Sequence, residues 1–255
     1  MNIYVILKQT FDTEEKIVIE NEVIREDGME FIINPYDEYA IEEAIRLRDE
    51  FGGEVTVLTV GPGRAENALR TALAMGADKG IIVDDETVFG DEFAISKVLA
   101  SVIKNRPYDM ILAGNMSIDN GSGQIGPRLA EELGIPHVTS VTKVVVEGKT
   151  VTVTRDAEGD QEVIEISMPL LITAQQGLNE PRYPSLPGIM KAKKKPIERL
   201  NQESLGLQQD EIKSKTVIIH QYLPLKKQSG RVLTGELTDQ VSALVNMLRN
   251  EVKVI

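Results

Sequence analysis

Cysteine and tryptophan are absent from this 255-residue chain, and histidine occurs only at His137 and His220. Without a thiol there is no disulfide and no thiolate chemistry. Two histidines leave no basis for a His-rich metal site, and none is expected. No apolar run approaches the roughly 18 residues that cross a bilayer. The opening "MNIYVILKQ" lacks the basic start and small-residue cleavage site of a signal peptide. The expected compartment is therefore the cytoplasm, with no membrane insertion. A Walker A loop is also missing, so nucleotide hydrolysis has no visible machinery. No Ser/His/Asp or paired-carboxylate constellation stands out, which argues against a self-contained enzyme.

What is present reads as soluble and globular: 42% hydrophobic and 27% charged residues in a chain long enough for a sizeable core. The net charge of −12 is unevenly shared. Residues 1–190 hold 16 Lys+Arg against 33 Asp+Glu, and residues 191–255 hold 12 against 7. An acidic body disfavours nucleic acid, which needs a broad basic footprint. The basic surplus is local and points to a local partner.

Along the chain, apolar runs of strand length alternate with helical spacing. "IYVILK", "EVTVLTVGPG", "KGIIVDD" and "YDMILAGN" are buried strands, and "KIVIENEVI" is a surface hairpin. Between them lie helices stopped by Gly52–Gly53, Gly76 and Gly134, with a further one over "DEFAISKVLASVIKN". Strands separated by helices give βαβ units, so the expected fold is α/β: a doubly wound, mainly parallel, Rossmann-like sheet. After Pro136 the pattern becomes strand–turn–strand, with Gly148 in a tight hairpin, then a buried strand at Leu170–Thr173. Gly177 to Pro196 holds four prolines and no clear period. "KTVIIHQYLP" recovers an apolar pattern, and "LTDQVSALVNMLRNEV" is an amphipathic helix with Val241, Leu244, Val245 and Leu248. The expected division is a nucleotide-binding domain over 1–220 and a C-terminal arm over 221–255.

Ligands of open parallel sheets bind beyond the carboxyl ends of the strands. Those ends are Lys8–Gln9, Val60–Gly63 and Ala113–Gly126, with "NPYDE" at Asn34–Glu38 entering the first helix. Glycine, asparagine and helix N-termini suit phosphate oxygens, so a nucleotide is expected. Gly121, Gly123 and Gly126 spell G-x-G-x-x-G, but after the fourth strand rather than the first, and Glu147, at the right distance for the acidic partner, falls in a hairpin turn. A nicotinamide cofactor is therefore disfavoured. Asn120 and Ser122 precede an expected helix start at Gly123, where they could hold a phosphate or simply cap the helix. His137 reads as a packed or surface imidazole. Asp84, Asp85 and Glu86 are consecutive and fan outward rather than converge on a metal.

Two stretches, "VTRDAEGDQEVIEISMPLLIT" and "NEPRYPSLPGIMKAKKKPIE", resemble the beta subunit of electron-transfer flavoprotein, AMP-containing carrier type. "FIINPYDEYAIEEAIRLRD" and "RTALAMGAD" extend the likeness over nearly the whole chain, weakest in the last ~35 residues. The resemblance implies a heterodimer with an alpha subunit that holds most of one FAD. It implies electrons arriving from acyl-CoA dehydrogenases and leaving for a quinone oxidoreductase, and a structural AMP in the beta subunit. The implied nucleotide contacts are Ile6, Asn34, Pro35, Tyr36, Asp37, Val60, Asp119, Asn120, Gly121, Ser122, Gly123 and Gln124. Tyr36 matches an aromatic position near the flavin, whereas Thr13 stands where a tyrosine is usual. The bifurcating relatives, with a second FAD here and NADH as donor, are the alternative; a free-standing nucleotide sensor is a more distant one.

The resemblance also gives "SLPGIMKAKKK" a role as a recognition loop within 179–198. Leu186 would enter an apolar pocket on the dehydrogenase, beside Pro187, Ile189 and Met190. Burying that side chain fully is worth roughly 1.5–3 kcal/mol. Pro184 and Pro187 limit backbone freedom before docking. Lys191, Lys193, Lys194 and Lys195 would steer an acidic partner surface, an effect that salt weakens.

Overall fold

The computed structural model describes residues 1–227 and 229–255. Gln228, inside the expected C-terminal arm, lies outside the described residues. The chain divides into two units, Met1–Val18 with Arg25–Ile219, and Ile19–Ile24 with His220–Ile255.

The larger unit opens with β1 (Asn2–Ile6) and β2 (Gln9–Phe11). A short hairpin, β3 (Ile19–Glu20) and β4 (Val23–Ile24), belongs to the smaller unit and turns through Asn21 and Glu22, both at positive φ. Then come β5 (Phe31–Ile33), α1 (Pro35–Phe51), β6 (Glu54–Val60), α2 (Glu66–Met75) and β7 (Lys79–Val83). α3 (Glu92–Ile103), β8 (Met110–Gly114) and α4 (Ile125–Leu133) complete the alternation. Gly52, Gly76 and Gly134 take positive φ at the helix ends, where a side chain would be strained.

Past Pro136 the chain forms an antiparallel meander, β9 (His137–Glu147), β10 (Thr150–Ala157) and β11 (Asp160–Ser167), before the buried β12 (Leu170–Ala174). The sequence pattern showed one hairpin; a second turn at Glu158–Gly159, both at positive φ, adds the third strand. Two further elements follow: α5 (Leu186–Ala192), inside the stretch without a clear period, and β13 (Ile197–Leu200), directly after it. α6 (Gln202–Leu205) follows. "KTVIIHQYLP" forms no strand; Val217, Ile218, Ile219 and Tyr222 are exposed. In the smaller unit α7 (Leu237–Met247) leaves Leu237, Val241 and Leu244 exposed.

The main sheet runs β11-β10-β9-β12-β8-β1-β6-β7-β13, parallel except for the β9–β10–β11 pairings. β1 sits near its centre, with Val5 opposite both Val57 and Leu112. Its side chains alternate between two apolar layers. Ile3 and Val5 join Ile41, Ile45, Leu69 and Leu73 of α1 and α2. Tyr4 and Ile6 join Leu99, Val102 and Leu129 of α3 and α4. This is a doubly wound sheet covered on both faces. The chain builds outward from β1 through β6 and β7, then returns to β8 on the other side of β1. The sheet's switch point is therefore between β1 and β8, where such folds bind ligands.

Candidate functional site: a cleft at the switch point and an exposed helix

At the switch point lies a cleft of about 780 Å³, within the roughly 300–1,000 Å³ of small-molecule sites. Ile6, Val60 and Ala113 supply the strand ends, and Ile95 and Leu99 of α3 an apolar wall. Asn34 and Asp37 anchor the start of α1 against it. The buried Asn34 Nδ2 donates to Met116 O at 2.9 Å and to Asp37 Oδ1 at 3.0 Å, while its Oδ1 accepts from Ile118 N at 3.1 Å. Asp37 accepts from Lys8 N at 2.6 Å and from Gly114 N at 3.0 Å. Burial pushes its carboxyl up to about 7, against the opposing pull of those donors. One residue pair thus ties together the ends of β1 and β8, the loop after β8 and the start of α1.

The loop after β8 is equally constrained. Asn120 Nδ2 donates to Glu92 Oε1 at 2.8 Å, and its Oδ1 accepts from Ser122 N at 3.0 Å. Gly121 N bonds Ser117 O at 2.8 Å, and Lys8 Nζ pairs with Asp119 at 2.6 Å. α4 starts at Ile125 rather than Gly123, and its cap residue Gln124 makes no capping bond. Ser122 therefore does not cap the helix. It lies on the cleft wall with Ser117, Gly123 and Gln124.

A strap that the sequence did not reveal also lines the cleft: Ser214, Thr216, Val217 and Ile218. Asp91 holds it. Asp91 Oδ1 caps α3 through Ala94 N at 3.1 Å, while Oδ2 accepts from Lys215 N at 2.7 Å, Thr216 N at 2.9 Å and Thr216 Oγ1 at 3.1 Å. Burial alone would raise its carboxyl; these donors outweigh it and hold the group below its usual range. Apolar walls with hydroxyls, amides and a helix start at the rim suit a planar base bearing ribose and phosphate. Gly126 fits the same purpose, since a Cβ there would collide with Thr173 Cγ2, so α4 can sit close on β12.

Elsewhere on the larger unit, α5 carries Leu186 at 80% exposure and Met190 at 67%. Ser185 Oγ caps this helix by accepting from Gly188 N at 3.1 Å, and Pro187 sits in its first turn. Gly188 packs so close to Ala74 O that no Cβ fits. Arg70 Nη1 donates to Ala192 O and Lys195 O, and Lys195 Nζ donates to Leu73 O and Ala77 O.

Residues 22–205 match the family model described as electron transfer flavoprotein domain. The chain is 54% identical to the electron transfer flavoprotein subunit beta of Bacillus subtilis (strain 168) over the full length of both. It is 42% identical to a subunit of the same description from Syntrophomonas wolfei, over 100% of this chain and 98% of that one. The caffeyl-CoA reductase-Etf complex subunit CarD of Acetobacterium woodii is 38% identical over 98% and 99%. The chain belongs to the electron transfer flavoprotein beta-subunit family. Membership brings association with a flavin, electron transport and an alpha-subunit partner.

In this beta subunit the cleft gathers Ile6, Asn34, Asp37, Val60, Asn120, Ser122, Gly123 and Gln124. Pro35, Tyr36, Asp119 and Gly121 do not line it. Pro35 opens α1, Asp119 faces Lys8, and Gly121 is bonded back to Ser117. Tyr36 lines a separate cleft of about 510 Å³ with Thr142, Gln175 and Gln176. Of the four clustered lysines, Lys191, Lys193 and Lys194 are exposed, whereas Lys195 is half-buried and turned inward onto α2. Among the described residues no group of His, Asp and Glu could hold a metal, and no helix is long and apolar enough to cross a membrane.

Proposed function

We propose that this beta subunit is of the AMP-containing carrier type, holding AMP at the switch-point cleft and docking acyl-CoA dehydrogenases through Leu186. The observation that carries the reading is the α5 knob: a large apolar side chain, 80% exposed, on a helix whose ends are fixed to the body. Solvent-exposed leucine held on a rigid support loses little entropy on docking. The small interface suits a carrier that must release each partner quickly. FAD, held mainly by the alpha subunit, supplies the reversible electron acceptor. This chain supplies the dock, braces the flavin-bearing partner with its C-terminal arm, and passes no bond chemistry of its own. Electrons leave for a quinone oxidoreductase, in the cytoplasm.

In the purified heterodimer, Leu186→Ala slows reduction by an acyl-CoA dehydrogenase while FAD content stays unchanged; unaltered reduction defeats the docking role. Two observations favour a second reading. The cleft volume lies in the upper part of the small-molecule range, and a relative is named as part of a caffeyl-CoA reductase complex. Both fit a bifurcating subunit with a second FAD and NADH oxidation. Nucleotides extracted from the heterodimer separate the two: one FAD with AMP, or two FAD.

A further inference from the structure

The segment leading into α5 carries Asn179 and Arg182, and both are turned inward onto α1 rather than outward. Arg182 Nε and Nη2 grip the two oxygens of Glu42 at 2.8 and 2.9 Å, and Arg182 N adds a third contact to Glu42 Oε2 at 3.2 Å. The Glu42 side chain is 7% exposed, so its charge is satisfied chiefly from this segment. Asn179 Nδ2 donates to Tyr39 O and to Glu43 Oε2, each at 3.0 Å. Asp49, about two turns further along α1 from Glu42 and Glu43, faces Arg182 at 3.8 Å. Leu178 is buried beneath. From Arg182 only Tyr183 and Pro184 intervene before Ser185, the cap of α5.

The Glu42 carboxylate is buried while the Arg182 side chain stays 40% exposed, and such a pair contributes little net stability, because desolvation of the carboxylate and solvent screening at the guanidinium offset much of the attraction. What a bidentate guanidinium–carboxylate pair does fix is direction, since both partners are planar and two bonds set their mutual angle. Here the direction fixed is that of the chain entering α5. The helix exit is fixed separately by Arg70 and Lys195. With one end free, a seven-residue helix would swing, and Leu186 stands at the end nearest Arg182.

We infer that Arg182, paired with buried Glu42, is a positioning residue for donor docking: it holds the start of α5 so that Leu186 is presented in its docking orientation. The inference rests on the reading of Leu186 as the donor anchor. Preorganisation of this kind shows in the affinity for the donor rather than in the electron-transfer step.

The test uses the FAD-loaded heterodimer, with an acyl-CoA dehydrogenase and its acyl-CoA as reductant, reading KM for the heterodimer and kcat separately. Arg182→Met raises KM by roughly tenfold with kcat and FAD content kept, the loss of one oriented charged contact at an interface support. Arg182→Lys, whose ammonium cannot bridge both oxygens, raises it by about threefold. Because Arg182 acts through Leu186, the double variant with Leu186→Ala has the same KM as Leu186→Ala alone. A KM for Arg182→Met within about twofold of the wild type, or effects that multiply in the double variant, overturns the inference. Where Arg182→Met fails to assemble, an unchanged KM for Arg182→Lys overturns it. If Leu186→Ala itself leaves KM unchanged, the docking reading falls; if it raises KM while Arg182→Met does not, only the positioning role falls.

Discussion

Asp91 Oδ2 accepts the Thr216 backbone N–H at 2.9 Å across 125 residues of sequence, closing one side of the switch-point cleft. The same carboxylate caps α3 with its other oxygen, so one side chain performs two separable tasks. Asp91→Ser keeps a capping oxygen but is too short to reach the strap. Hydrogen exchange at Lys215 and Thr216 then accelerates by at least tenfold, while amides within α3 keep their protection. Bound nucleotide is lost faster on dialysis of the heterodimer. Protected strap amides in this variant would show that the strap closes without Asp91.

Asp37 makes a pH prediction. Its folded value, about 7, lies above the ordinary 3.8, so between these limits the folded state holds a proton that the unfolded chain has released. The stabilising contribution is fully present below about pH 3.8 and is lost as pH rises through 7. Across pH 5 to 8 the loss is roughly 3 kcal/mol. Asp37→Asn removes this titration. Urea unfolding of both proteins from pH 5 to 8 should therefore show the wild type losing stability relative to the variant as pH rises. A constant difference would mean that Asp37 stays ionised throughout.

Most of the sheet was legible because its signals are strong and local. Met110 to Ala113 is an unbroken apolar run, Val55 to Leu58 is interrupted only by the buried Thr56, and Gly76 and Gly134 end helices where the spacing stops. The strand ends that form the cleft followed from the rule that parallel sheets bind ligands beyond the carboxyl ends of their strands. α5 was not legible: Pro187 and Gly188 read as breakers, yet proline is at home in a first helical turn, and Gly188 is required by the close approach to Ala74. β13 is four residues long and pairs with β7 far away in sequence, so no local period marks it. The strap escaped for a related reason. "KTVII" has the composition of a strand, and only Asp91, over 120 residues earlier, makes it the side of a cleft. The inward turn of Lys195 escaped because spacing cannot reveal that its ammonium meets the carbonyls of Leu73 and Ala77 at the end of α2.

Gly114 tests how tightly the cleft is built. A Cβ there would overlap Asp37 Oδ1 and lie 2.7 Å from Tyr36 Cβ and 2.9 Å from Asp37 N. None of these atoms is the free end of a flexible chain. Gly114→Ala therefore pushes the start of α1 off β8, at a cost of about 1–3 kcal/mol, and lowers the nucleotide content of the purified heterodimer. Gly121→Ala is the control. Its φ of +65° carries strain, but no atom lies within 4 Å of the new methyl, so the cost stays near 1 kcal/mol. Thermal unfolding should rank the two in that order.

The lysine cluster divides into two physical roles that a pair of substitutions can separate. Lys191 and Lys194 are exposed, and no described acidic group pairs with them. Lys195 is partly buried, and its donation to Leu73 O and Ala77 O places a positive charge at the negative end of α2. Lys195→Met strips those carbonyls of a charged donor and costs about 1–3 kcal/mol, seen as a lower melting temperature. The salt dependence of the donor reaction is unchanged. Lys194→Met does the reverse: melting stays put, and the association rate with the dehydrogenase becomes slower at low salt and less sensitive to added salt. Stopped-flow reduction at several ionic strengths, with melting curves on the same samples, distinguishes the two. Equal salt slopes for wild type and Lys194→Met would remove the steering role from that lysine.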